Sequence, residues 1–138
     1  MKSLITASAV LLALAAPALA AGDAEKGEKE FRKCKACHMI QADDGEMIVK
    51  GGRTGPNLYG VIGRTAGSVE DFKYGDSIVA AGEAGLVWSE ENIVPYVEDP
   101  KAFLAEQTGD SGARSKMTFK LPKGGEDVAA YLATFSAQ

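Results

Sequence analysis

The sequence predicts an all-α domain whose short helices are joined by long loops that wrap around a bound group. Apolar residues recur at helical spacing over residues 126–135, and no stretch shows the sustained alternation typical of a strand. Two long segments, 41–58 and 108–123, lack helical periodicity, and the first is rich in glycine. Loops of this length are uncommon in a small domain unless they serve a function, so we expect them to enclose a ligand.

Local signals mark where the helices begin and end. Asp23 can cap a first helix that runs to about Cys37. Ser89 is a second N-cap, and its helix should end near Asp99 because Pro100 follows. The remaining helices are predicted over 76–82, 101–107 and 126–135.

The first twenty residues have the composition of a secretion signal. Lys2 supplies a positive charge, an apolar run follows over 4–16, and small residues at positions 18 and 20 fit a cleavage site. The apolar run is short for a membrane span. We therefore predict a signal peptide over 1–20 with cleavage near 20/21. Residues 21–138 should then form a single soluble periplasmic domain without membrane insertion.

The charge pattern excludes one class of partner and indicates another. The 138 residues carry a formal net charge of −4 at pH 7, which argues against nucleic acid as a partner. The charges are unevenly distributed along the chain. Bases predominate over 26–35 and 111–125, whereas acids predominate over 70–110. Solvated surface is the ordinary explanation for any single charge, but not for the contrast between segments.

The sequence Cys34-Lys-Ala-Cys37-His38 has the C-x-x-C-H spacing of covalent haem attachment. Thiols three positions apart on a helical turn can add to the two vinyl groups of a porphyrin, and the next residue can then ligate the iron. A thioredoxin-like pair would need a βαβ pattern, and a disulfide would leave His38 unexplained. Two cysteines and one histidine are too few for a structural zinc site. We predict one covalent, iron-containing haem c.

The second axial ligand cannot be histidine, because His38 is the single histidine of the chain. Methionine is a common alternative. Met39 adjoins His38 and cannot reach the opposite face of the ring, and Met47 lies in a polar loop close to the attachment motif. Met117 lies far downstream in a loop that can fold over that face. We predict Met117 as the ligand, the alternative being an ordinary core methionine.

With these ligands in place, the chain resembles class I cytochromes c, and most closely bacterial cytochrome c2. The resemblance covers nearly all of 21–138 and implies the class I cytochrome c fold. Two segments, 38–56 and 100–117, are longer than in the shortest members. The matching residues, in order, are Gly27, Phe31, Cys34, Cys37, His38, Arg53, Pro56, Asn57, Leu58, Gly63, Arg64, Tyr74, Trp88, Tyr96, Pro100, Met117, Val128 and Tyr131.

The resemblance also implies roles for residues around the ring. The Pro56 carbonyl would accept the Nδ1–H of His38 and raise the basicity of the imidazole. Tyr96 would lie near the Met117 sulfur. Three side chains would donate hydrogen bonds to the haem propionates: Arg64, Tyr74 and Trp88. The alternatives are that the proline only shapes a turn, that the arginine is solvated and that the tryptophan is plain core.

The predicted function is transfer of single electrons. Two filled axial positions leave no place for substrate, so we do not expect an enzyme. The resemblance implies a cytochrome bc complex as electron donor and a terminal oxidase or photosynthetic reaction centre as electron acceptor. We expect the protein itself to be a monomer. The rivals are a small haem c enzyme or gas sensor with an open sixth site, and a fused subunit of a larger complex.

The uneven charges predict a docking surface. If the attachment turn and the Met117 loop both border the haem, their bases surround the edge through which electrons pass. Such a field steers a diffusing protein so that its reactive face meets an acidic partner first. The acids of 70–110 would lie mostly elsewhere. The residues predicted to dock are Lys33, Lys35, Lys116, Lys120 and Lys123.

Overall fold

The computed structural model describes residues 22–135, so the predicted signal peptide and its cleavage site lie outside the described residues. Within 22–135 no helix is long and apolar enough to cross a membrane. The elements in chain order are α1 (Ala24–Glu30), β1 (Ile40–Gln41), β2 (Met47–Val49), α2 (Asp76–Glu83), α3 (Glu90–Glu98), α4 (Pro100–Thr108) and α5 (Gly125–Ala133). The predicted all-α character is confirmed, with one short antiparallel hairpin added.

The helix starts follow the predicted caps. Asp23 accepts hydrogen bonds from two backbone N–H groups in the first turn of α1. Ser89 and Asn92 form a reciprocal capping box at the start of α3. Asp99 ends α3 and caps α4, and Pro100 occupies the first turn of α4, where its missing N–H costs nothing.

Two predicted segments differ from the structure. The first helix was expected to reach Cys37, but α1 ends at Glu30 and tightens into a 3₁₀ turn over Phe31–Lys33. Side chains at i and i+3 share a face in both helix types, so their spacing does not reveal the tightening. The segment 41–58, expected to be loop, contains most of the hairpin. Its strands are two and three residues long, too short for a visible alternation.

The two ends of the described chain close the fold by packing α1 across α5. A Cβ at Gly27 would overlap the Asp127 carbonyl and come within 2.7 Å of the Tyr131 Cβ, so the helices meet backbone to backbone. The ring centroids of Phe31 and Tyr131 lie 5.6 Å apart. This contact anchors the turn that follows α1, which carries both cysteines.

Candidate haem-binding site

Cys34, Cys37 and His38 lie on one tight turn after α1. The N–H groups of Cys37 and His38 both donate to the Cys34 carbonyl, at 3.2 and 2.9 Å. Both cysteines are free thiols, with Cys37 exposed and Cys34 partly buried. Burial, followed by the Glu30 carboxylate, raises the pKa of Cys34 to about 11, so this thiol is protonated at neutral pH. The turn therefore presents two reduced thiols and an imidazole within five residues.

The backbone fixes the tautomer of His38. Its Nδ1 lies 2.8 Å from the Pro56 carbonyl oxygen. Because a carbonyl can only accept, Nδ1 carries the proton and Nε2 keeps its lone pair. Burial lowers the pKa of His38, the bond to Pro56 acts in the opposite direction, and the Arg64 charge lowers it. A neutral imidazole held by its other nitrogen is the form that ligates a metal.

Gly55 lets the backbone approach the imidazole closely. Its N–H donates to the Cys37 carbonyl at 2.8 Å. A Cβ at Gly55 would overlap Cε1 of His38 and come within 2.6 Å of Nδ1. The ring is therefore held by a hydrogen bond from one residue and by direct backbone contact from its neighbour.

Arg64 and Tyr74, two of the predicted propionate donors, lie close enough to interact electrostatically. Arg64 is partly buried, and its Nη1 donates to the carbonyls of Asn57 at 3.1 Å and Tyr59 at 3.2 Å. Burial lowers the pKa of Arg64 and raises that of Tyr74. Tyr74 accepts the N–H of Val69 at 3.3 Å. The arginine is therefore tied to the backbone and is not a freely solvated surface charge.

Trp88, the third predicted donor, joins Arg64 through the backbone and an aromatic cluster through its ring. Its backbone N–H donates to the Arg64 carbonyl at 2.9 Å, and its backbone carbonyl accepts the N–H of Gly63 at 2.7 Å. Trp88 is 6% exposed, and the centroid of its indole lies 4.7 Å from that of Tyr96 and 6.0 Å from that of Phe103. Trp88 therefore belongs to the core and to the neighbourhood of Arg64 at once.

Met117 lies partly buried in a loop whose Leu121 N–H donates to the Val97 carbonyl of α3 at 2.7 Å. The Ser115 hydroxyl donates to the Met117 carbonyl at 2.9 Å. Burial raises the pKa of Tyr96, on α3, to about 12, and the nearby Ser115 side chain acts in the opposite direction. Tyr96 therefore lies close to the Met117 loop, and its proximity to the Met117 sulfur stays a prediction.

Two similar proteins show which family the chain belongs to. Cytochrome c-551 of Roseobacter denitrificans is 64% identical over 131 residues, which cover 93% of this chain and 94% of the relative. Cytochrome c2 of Rhodobacter capsulatus is 64% identical over 132 residues, which cover 96% of each. The chain belongs to the bacterial cytochrome c2 family. A comparison with protein-family models found no match.

Solved structures agree with the cytochrome c2 assignment. Cytochrome c2 of Rhodobacter capsulatus superposes with a TM-score of 0.81 at 65% identity, covering 82% of this chain and 97% of that one. Ferric cytochrome c-550 of Paracoccus versutus gives a TM-score of 0.81 at 63% identity, covering 84% and 99%. The predicted class I cytochrome c fold and the resemblance are confirmed. As a cytochrome c2, the chain is an electron-transport protein with one covalent haem c.

The basic segments of this cytochrome c2 converge at one place. Lys33, from the attachment turn, and Lys123, from the segment after Met117, line one shallow surface depression together with Lys26 and Lys29. Glu30 and Asp127 line it as well, and Glu30 pairs with Lys33 at 2.6 Å. Segments far apart in sequence therefore contribute to one mixed, mainly basic surface.

The other predicted docking lysines have neighbours that the sequence did not indicate. Lys120 pairs with Asp99 at 2.8 Å. The Lys116 ammonium donates to the Lys73 carbonyl at 2.9 Å, so part of the acidic segment 70–110 adjoins the Met117 loop. The expectation that the acids of 70–110 lie mostly elsewhere does not hold for Asp99, which pairs with Lys120 of that loop. Lys35 is exposed on the attachment turn.

Sequence reasoning missed Gly55 and Ser115 and treated Asn57 only as part of a matching motif. Gly55 was a usable signal, because glycine is the residue that permits a close approach of the backbone. Ser115 gave no comparable signal, since its neighbours lie on another element and in its own loop.

Proposed function

We propose that this cytochrome c2 carries single electrons through a haem attached to Cys34 and Cys37 and ligated by His38 and Met117. The observation that carries the proposal is the 2.8 Å contact between Nδ1 of His38 and the Pro56 carbonyl. It leaves the Nε2 lone pair for iron on the same turn as two free thiols. The bound haem supplies a one-electron iron couple. The protein attaches and orients it, with Arg64, Tyr74 and Trp88 proposed as propionate donors.

Met117 suits the second axial position because hydrogen bonds on either side of it attach its loop to two helices. The Arg114 N–H donates to Ser77 of α2 and the Leu121 N–H donates to Val97 of α3. A thioether ligand favours reduced iron and raises the potential. With both axial positions taken by protein, substrate has no access to the metal. The chain then serves as an electron carrier and not as an enzyme or a gas sensor.

The proposed route runs from a cytochrome bc complex to a terminal oxidase or a photosynthetic reaction centre. The chain would act as a periplasmic monomer over 21–138, exported by the signal peptide at 1–20. Docking would use the exposed bases around the attachment turn and the Met117 loop. Complexes between redox partners need to be short-lived, and electrostatic steering raises the association rate without deep binding.

The decisive experiment is a redox titration of the purified protein, followed by absorption spectroscopy, with and without carbon monoxide. We expect the spectrum of a six-coordinate haem in both redox states and no change when carbon monoxide is added to the reduced protein. A carbon monoxide complex of the unmodified protein would contradict His/Met ligation and favour the enzyme or sensor.

Recovery of the protein tests the proposed location and processing. We expect a monomer in the periplasmic fraction, with an N-terminus at residue 21 or next to it. A protein that retains residues 1–20, or that purifies only within a larger complex, would contradict this part of the proposal.

A further inference from the structure

The side chain of Asn57 bonds to the backbone of the hairpin as a neighbouring strand would. Its Oδ1 accepts the N–H of Gln41 at 3.0 Å, and its Nδ2 donates to the carbonyl of the same residue at 2.8 Å. Gln41 belongs to β1, which pairs with β2 on one edge only. The amide of Asn57 therefore satisfies a donor and an acceptor that a strand edge leaves to solvent.

Asn57 is also bonded within its own segment. Its Oδ1 accepts a second hydrogen bond, from the N–H of Tyr59 at 3.1 Å. Its backbone carbonyl accepts from Nη1 of Arg64 at 3.1 Å. The hairpin, the 57–59 turn and the partly buried Arg64 guanidinium thus all hold this one residue, which is itself partly buried.

The peptide group that precedes Asn57 is the one that orients His38. The Pro56 carbonyl, at 2.8 Å from Nδ1, is bonded directly to the Asn57 nitrogen. Proline has no N–H with which to anchor its own position, so the direction of this carbonyl depends on the residue that follows. A residue held by the hairpin and by Arg64 can fix it.

The hairpin provides a firm anchor at its base. Ile40 is fully buried, and the N–H of Leu58 donates to the Met39 carbonyl at 3.1 Å. Residues 43–46 at the hairpin tip are exposed, and so are Met47 and Ile48 of β2, at 40% and 39%. The Gln41 backbone next to the buried base is therefore a rigid point of attachment, whatever the tip does.

We propose that Asn57 is a positioning residue that ties the Pro56 carbonyl to the hairpin and thereby sets the strength of its hydrogen bond to His38. The inference rests on the proposed ligation of iron by His38. A strong bond at Nδ1 makes the imidazole a more basic ligand, which stabilises ferric iron. The inserted segment between His38 and Pro56 then has a role in tuning the haem and is not merely a surface extension.

The test measures exchange of the His38 Nδ1–H with solvent by NMR, together with the midpoint potential, in the holoprotein. Asn57→Ala removes three side-chain hydrogen bonds, so we expect exchange to accelerate about tenfold or more. We also expect the potential to become more positive. Asn57→Asp keeps the oxygen that accepts from Gln41 and Tyr59 but loses the donor to Gln41, so its exchange rate should lie between those of Asn57→Ala and the unmodified protein.

Two controls separate positioning from general stability. Gln41→Ala leaves the Gln41 backbone in place, so neither readout should change. Asn92→Ala removes an equally well-bonded amide, which accepts from Ser89 at 2.8 Å and donates to Val87 at 2.8 Å. It should lower stability without changing exchange at His38.

The inference is overturned if both Asn57 variants keep the His38 exchange rate and the midpoint potential of the unmodified protein. It is also overturned if Asn92→Ala accelerates exchange at His38 as much as Asn57→Ala does. If Asn57→Ala does not retain haem, Asn57→Asp carries the test alone. Failure of the proposed ligation looks different, because the unmodified protein would then show no iron-shifted His38 resonances.

Discussion

The Ser115 hydroxyl donates to the carbonyl of Met117, two residues further on, at 2.9 Å. Farther along the same loop, the N–H of Leu121 donates to the Val97 carbonyl of α3 at 2.7 Å. On the other side of Met117, the N–H of Arg114 donates to Oγ of Ser77 on α2 at 2.9 Å. The loop with the proposed methionine ligand is therefore attached to helices on both sides of Met117.

Met117→Ala should leave this loop in place while removing the thioether. We expect haem to stay attached, the potential to fall, and carbon monoxide to bind the reduced protein, because thioether ligation favours reduced iron and fills the sixth site. Met47→Leu is the matched control. Met47 is 40% exposed, so we expect no spectral change and a stability change within about 0.5 kcal/mol. If Met47→Leu opened the sixth site and Met117→Ala did not, Met47 would be the ligand and Met117 would not.

Tyr96→Phe should change how stability depends on pH above pH 10. Burial raises the folded-state pKa of Tyr96 from 10.0 to about 12. Below pH 10 the phenol is neutral in both states. Between pH 10 and 12 it ionises only in the unfolded chain, so the free energy of unfolding falls there. The fall should total about 2–3 kcal/mol and be absent in the variant. Denaturant titrations from pH 9 to 12 measure the free energy of unfolding. If it depends on pH in the same way in the unmodified protein and in Tyr96→Phe, the raised pKa of Tyr96 is contradicted.

Arg64→Gln should shift the midpoint potential without releasing the haem, because a propionate loses a charged donor in partly buried surroundings. The two bonds from Nη1 to the carbonyls of Asn57 and Tyr59 are lost as well, at a cost of about 1–3 kcal/mol in stability. Arg64→Lys keeps the charge but not the planar fork, so it should restore part of the potential. Loss of stability with an unchanged potential would limit Arg64 to a structural role.

Charge reversal on the proposed docking surface should slow electron transfer to an acidic partner. We expect Lys33→Glu and Lys116→Glu each to lower the second-order rate about threefold or more at low salt, and rising ionic strength to shrink the difference. Stopped-flow measurements over a salt series provide the test.

The contact between Lys116 and the Lys73 carbonyl makes Lys73 unsuitable as a remote control for this experiment. Lys101, exposed on α4, is the better choice, and Lys101→Glu should have much less effect. Equal slowing by all three variants, or rates that do not respond to salt, would remove the case for a basic docking face.

Gly27→Ala should destabilise the protein, because the added Cβ would overlap the Asp127 carbonyl where α1 crosses α5. Overpacking of this kind costs about 1–3 kcal/mol, measurable by thermal or denaturant unfolding. Gly75→Ala is the matched control. Gly75 has a φ of −75°, and its added Cβ would lie 3.5 Å from the nearest atom, in Lys116. A similar loss of stability in both variants would mean that α1 and α5 can shift to accommodate the added Cβ.

Features that depend on neighbouring residues were determined by the sequence. The attachment turn follows from residues that adjoin one another, and the caps at Asp23, Ser89 and Asp99 act within a few positions. The same holds for the proposed iron ligand on one side, since the chain has a single histidine. These predictions needed only chemistry and spacing along the chain.

The surroundings of the site were decided by the tertiary structure. The contact of Gly55 with His38, the bonds from Asn57 to Gln41 and the reach of Lys116 to Lys73 join positions separated by up to 43 residues. They run through loops of irregular backbone, which carry no periodicity that a sequence could display. Which loops meet depends on the packing of helices such as α1 and α5, and therefore on the folded chain as a whole.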